Sequence, residues 1–166
     1  RGRIDGRYFL DYLRNNDIED IESIFEDSDV TSVGDMSFAK HAKHIARAFK
    51  NTPYLTDANV SYWEISDTTD LTSVFENTGI STIDLAGSDF KNATLTTNMF
   101  KNSQASYIYL NKAKFNKVTN AAHMFDGANQ VSSLDLAHTN FREVTDITSM
   151  FNNCTASCLL YTSDAA

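Results

Sequence analysis

Three groupings of residues have the types and spacings that chemistry needs. Asp27-Ser28-Asp29-Val30-Thr31 matches the D-x-D-x-T string of phosphatases that use an aspartyl nucleophile. That reaction wants the first Asp at the end of a buried strand, with a lysine and further acids held nearby. Here the Asp follows an expected helix, at a turn, and the enzymatic reading is set aside. The same segment fails as a calcium loop, with Ser32 at position six and Phe38 at position twelve. His41 and His44 are three apart and could share a metal, yet no Cys or carboxylate stands at a ligand spacing beside them. A solvated basic helix face, with Lys40, Lys43, Arg47 and Lys50, is the reading adopted.

The third grouping emerges only from a repeat. A marker Phe falls at Phe25, Phe49, Phe75, Phe100, Phe125 and Phe151, at intervals of 24, 26, 25, 25 and 26 residues. A fixed period of this length is the signature of stacked coils, each too small to bury its own apolar face. Other slots keep the register: Ile65, Phe90, Phe115 and Phe141 stand ten before the marker, and Thr69, Thr94, Thr119 and Thr145 six before it. The triplets Ile83-Asp84-Leu85, Ile108-Tyr109-Leu110 and Leu134-Asp135-Leu136 follow the marker.

Each slot has a local meaning. The recurrent Thr is a helix N-cap in type. Apolar residues at three- and four-residue spacing, such as Ile147, Met150 and Phe151, would form one face of a short helix. The triplet alternates apolar, polar, apolar, as a half-buried strand does. The expected fold is an α/β repeat: a right-handed leucine-rich-repeat-like solenoid of about six coils, with one short parallel strand and one short helix per coil. Two Phe columns, the marker and the slot ten before it, would run along the stack.

In that fold the middle residue of each triplet points away from the core, so Asp84, Tyr109 and Asp135 form one column, flanked by Thr82, Tyr107 and Ser133. These six are the candidate partner-binding residues, because tyrosine offers rigid amphipathic contact area. The alternative is that Tyr107 and Tyr109 only cover a sheet face. No metal, cofactor or catalytic residue is expected.

Composition bounds the partners. A net charge of −8 argues against a phosphate-backbone ligand such as nucleic acid, and no apolar run is long enough to span a membrane. The first residue is Arg1, read as a missing natural start, so the lack of a secretory signal carries no weight. Cys154 and Cys158 make no disulfide framework, and the Asn-x-Ser/Thr triplets at Asn59, Asn92 and Asn153 occur at chance frequency.

Three segments are expected. Residues 1–16 lie outside the frame, either as a cover for the first coil, with Phe9, Leu10 and Leu13 on one helical face, or as a degenerate coil. Residues 17–157 carry the repeats. The second coil is the least regular, with Pro53 ending its helix and Val60, Tyr62, Trp63 and Ile65 in a blurred strand region. Its basic outer face follows an acidic one made by Glu19, Asp20, Glu22, Glu26, Asp27 and Asp29, and the two faces should attract. Residues 158–166, CLLYTSDAA, resemble the translation of a transposon end and primer used in sequencing libraries, and are read as non-biological. The alternative is an edge strand, with Leu159 in the strand slot.

The stretch LDLAHTNFREVTDITSMFNNC, Leu134 to Cys154, resembles the BspA-like leucine-rich repeat. Cys154 stands where that family often has Cys; Thr78, Ser103 and Ala128 replace it in the other good repeats. The resemblance covers about Asp17 to Ser157 and is strongest from Leu71 onward. It implies an extracellular or cell-surface, lipoprotein-like protein with adhesive roles and brings no catalytic residues. The expected function is a non-catalytic surface module that binds protein or glycan. A structural spacer, or a repeat region attached to a catalytic domain elsewhere, stands beside it.

Overall fold

The computed structural model describes residues 4–61, 63–155 and 157–159. Their strands form two parallel sheets. β1 (Ile4–Asp5), β2 (Val30–Asp35) and β3 (Asp57–Asn59) make the first, in that order. β4 (Thr82–Asp84), β5 (Tyr107–Tyr109), β6 (Ser133–Asp135) and β7 (Ser157–Leu159) make the second. In the second sheet Ile83, Ile108 and Leu134 are register partners and are buried, while their neighbours face outward. The first sheet is less regular, with register shifts between Ile4 and Asp5 and between Ser32 and Gly34.

The expected solenoid of one strand and one helix per coil is not what forms. Among the described residues there is one α-helix, α1 (Arg7–Asp11), which precedes the repeats, and one 3-10 turn, Ser37–Ala39. The strands fall into two small sheets, and the repeats do not close into one strand-and-helix solenoid. The segments expected as helices are runs of consecutive turns.

The backbone supplies the reason. In every repeat the residues two before and two after the marker Phe adopt left-handed backbone angles: Ser23 and Asp27, Arg47 and Asn51, Ser73 and Asn77, Asn98 and Asn102, His123 and Gly127, Ser149 and Asn153. A left-handed residue cannot continue a right-handed helix. Instead the N–H groups alternate. Val74 and Glu76 donate to carbonyls three residues back, Leu71 and Ser73, while Ser73, Phe75 and Asn77 donate to Thr97, Met99 and Lys101 in the next repeat. The same link joins Phe25 to Ala48, Phe49 to Val74, Phe100 to Met124 and Phe125 to Met150, at 2.8–3.0 Å.

The recurrent Thr is not an N-cap either. The hydroxyls of Thr94, Thr119 and Thr145 donate backward to the carbonyls of Thr69, Thr94 and Thr119 at 3.3–3.4 Å. The next residue does the capping. The side-chain oxygens of Asp20, Asp70, Asn120 and Asp146 accept from the N–H two residues on, at 2.8–2.9 Å.

This backbone ladder brings like side chains into columns. The rings of Phe49, Phe75, Phe100 and Phe125 stack with centroids 5.3–5.5 Å apart and are fully buried. Phe90, Phe115 and Phe141 make a second column at 5.2 and 5.0 Å. Trp63 packs on Phe49 and donates its indole N–H to the Met36 carbonyl at 3.4 Å. Tyr62, of the blurred strand region, lies outside the described residues; the strand there is β3, just before it.

The outer faces of the first two repeats are complementary. Lys43 meets Glu19 at 2.8 Å, Arg47 bonds Glu22 and lies 3.5 Å from Glu26, and Lys50 lies 3.8 Å from Glu26. Exposed pairs like these contribute about 0–1 kcal/mol each, so they favour the order of the repeats more than they hold it. At the N-terminus Leu10 is buried and Leu13 packs partly on the core, but Phe9 is 63% exposed and does not line the covered face. Of the nine-residue tail, the backbone of Cys158 and Leu159 belongs to β7, and residues 160–166 lie outside the described residues.

Two outcomes follow. Phe100→Ala removes a ring stacked on both sides and should cost about 3–5 kcal/mol in urea unfolding. Asn77→Ala keeps a β-carbon in the left-handed region but loses the short polar side chain that eases that conformation, and should cost about 1–2 kcal/mol, with Asn77→Gly costing less. Equal losses for both variants would instead assign the effect to the Asn77–Asn51 side-chain hydrogen bond at 3.1 Å.

Candidate functional site

The six expected residues do come together, on the outward face of β4–β6. Parallel register places Thr82, Tyr107 and Ser133 in one row and Asp84, Tyr109 and Asp135 in the next. The tyrosine rings lie 6.2 Å apart at an interplanar angle of 8°, and Tyr107 is 44% exposed.

The two kinds of residue in this group do different work. Oδ1 of Asp84 accepts from the Ala86 N–H at 3.1 Å, and Oδ1 of Asp135 from the Ala137 N–H at 2.9 Å. In the first sheet Asp35 and Asn59 make the same bond to Ser37 and Ser61, at 2.9 and 3.0 Å. The last residue of a strand in this stack is therefore normally an Asp or Asn that closes the turn behind it. Tyr109 breaks that rule, and Tyr107 stands where Ser32, Asp57, Thr82 and Ser133 are small or acidic. Both outward positions of β5 are thus occupied by aromatic rings, and the one at Tyr109 replaces a turn-closing side chain. The carboxylates were legible as neighbours in the sequence, but their turn-closing role was not. The signal was there in the small residues Ala86 and Ala137, each two positions after its Asp.

The other groupings sit elsewhere. Asp27 is left-handed and accepts from the Asn51 amide at 2.7 Å, the start of a side-chain ladder, with no buried strand behind it. Nδ1 of His41 lies 3.9 Å from Glu64, whereas His44 pairs through its backbone with Asp20. Lys43 and His44 border a shallow polar depression of about 100 Å³ with Glu22 and Asp70. Among the described residues no three His, Cys, Asp or Glu side chains converge as metal ligands, and no helix is long and apolar enough to cross a membrane.

One side-chain pair was not visible in the sequence. Nδ1 of His123 lies 2.7 Å from Oδ2 of Asp126, whose other oxygen accepts from the Asn152 amide at 2.9 Å. The His123 contact, seconded by Asn152, holds the Asp126 carboxyl below its ordinary value. A carboxyl lowered in the folded state stabilises above its unfolded value, about 4, and that contribution fades as pH falls through the folded value. Asp126→Asn should therefore destabilise by about 1 kcal/mol at neutral pH. The gap to wild type should close in urea titrations as pH falls below about 4. A gap that stayed constant with pH would remove the charge from the account.

The comparisons with known proteins return one family. A family model described as "Mycoplasma protein of unknown function, DUF285" matches the chain twice, over residues 15–135 and 43–159. No curated protein and no solved structure matches.

Proposed function

Because the chain belongs to the DUF285 family, which is of unknown function, we propose a function from its own surface: a non-catalytic module, displayed at a cell surface, that binds a protein or glycan partner through the outward face of β4–β6. The observation that carries this reading is the replacement of turn-closing and small residues by Tyr107 and Tyr109 on β5 alone among the strands of its sheet for which side chains are described. Tyrosine at such a place adds contact area with little rotamer entropy to lose, as interface anchors do. The resemblance of Leu134–Cys154 to BspA-like repeats supports surface display and an adhesive role.

The anchor and the fold can be separated by mutation. Tyr109 takes no part in the Phe columns, so Tyr109→Ala should leave the unfolding midpoint within experimental error. Binding to whichever partner is selected from protein and glycan arrays should fall by about 2 kcal/mol or more. Phe100→Ala should lose binding only in proportion to the unfolded fraction. Affinity unchanged by Tyr109→Ala, and lost on altering Lys40 or Lys43, would move the site to the basic face of the second repeat.

A further inference from the structure

The repeat that carries the two tyrosines also differs from the others in charge. Residues 101–125 hold Lys101, Lys112, Lys114 and Lys117 and no Asp or Glu, a net +4. The chain as a whole is at −8, which leaves −12 on the other 141 residues. Each neighbouring repeat carries more acids than bases: Glu76, Asp84 and Asp89 against Lys91 on one side, and Asp126, Asp135, Glu143 and Asp146 against Arg142 on the other.

Two of these lysines come soon after the rings in the chain. Lys112 is exposed, in a left-handed turn three residues beyond Tyr109. Its counterpart one repeat earlier is Gly87, where a β-carbon would meet nothing within 4 Å, so this turn is open on the side of Gly87. Lys114 is exposed and only loosely matched to Asp89, at 4.0 Å. Exposed lysines therefore follow, three and five residues past Tyr109, the one aromatic pair on the strand face among the described residues, on a protein whose net charge is negative.

Resting on the reading of the strand face as the binding surface, we propose that its ligand is an acidic saccharide, with a sugar ring lying on Tyr107 and Tyr109 and its carboxylate or sulfate group held by Lys112 and Lys114. The flanking carboxylates fit this occupant. Asp84 and Asp135 each spend one oxygen on a turn N–H, and Oδ2 of each can accept from a sugar hydroxyl. An anionic ligand without hydroxyls would meet those two carboxylates unfavourably. A neutral sugar would make no use of the lysines.

The experiment measures binding of three hexasaccharides of equal length, one sulfated, one of uronic acids and one neutral, together with a basic hexapeptide. Calorimetry at low and high salt, on the whole chain, reads the affinities. At least one acidic saccharide should bind at least about tenfold more tightly than the neutral one, and more weakly as salt rises. Tyr109→Ala, and separately Lys112→Gln with Lys114→Gln, should each weaken it about tenfold, one decade being about 1.4 kcal/mol. Lys40→Gln should change nothing, and unchanged unfolding midpoints exclude misfolding as the cause. Preferential, Tyr109-dependent binding of the neutral saccharide or the basic peptide would overturn the acidic ligand while leaving the strand-face reading intact. Acidic saccharide bound equally well by Tyr109→Ala would be plain ion exchange and would overturn both. Failure of both acidic saccharides to bind would overturn this inference alone.

Discussion

The structure depends on a backbone hydrogen bond that leaves its own repeat. In the Met-Phe segment every second N–H points along the stack to a carbonyl about 25 residues on, as Phe75 does to Met99 and Phe100 to Met124. The N–H groups between them close turns three residues back. Backbone polar groups are thus satisfied half within a repeat and half between repeats, which a helix would not allow, since it satisfies its own donors internally. No repeat is complete alone, and neighbour contacts carry the stability. The Phe columns follow from this ladder, because it fixes the axial position of each marker ring over the last.

The same constraint sorts the surface. At most places where the chain leaves a strand or enters a run of turns, an Asp or Asn closes the turn with its own side chain, as Asp84, Asp135, Asp70 and Asp146 do; Tyr109, His44 and Leu95 are the exceptions. Much of the acidity of this chain is therefore architectural. The binding surface proposed above uses positions that do not carry that duty. These are Tyr107 and Tyr109 on β5 and the exposed Lys112 and Lys114 just past it. In that proposal recognition rests on the repeat over residues 101–125, which has four lysines and no Asp or Glu.

The period, the marker residues and the facing of the strand triplets were legible because side-chain burial imposes them directly. Phe75, Phe100 and Phe125 could stack only if their repeats did. Successive turns bring residues at helical spacing inward as well as a helix would, as with the buried Leu71, Val74 and Phe75, although Ile147 and Phe151 in the last repeat are exposed. The contrary signal was a second register. The slot two after the marker reads Asp27, Asn51, Asn77, Asn102, Gly127 and Asn153, the residue types that tolerate left-handed angles. The slot two before it is less telling, since it includes Arg47. At the candidate site the register placed Asp84 beside Tyr109 correctly, but adjacency alone could not tell a turn-closing carboxylate from a ligand-binding one. The four lysines of residues 101–125 are masked by the −8 net charge of the whole chain.

The most direct test of the backbone account is the through-hydrogen-bond scalar coupling measured by NMR between amide nitrogens and carbonyl carbons in the Met-Phe segment. The account predicts a coupling from the Phe75 nitrogen to the carbonyl carbon of Met99, with equivalents from Phe100 to Met124 and Phe125 to Met150. Couplings from Phe75 to Leu71 and from Phe100 to Thr96, four residues back as in an α-helix, would contradict it.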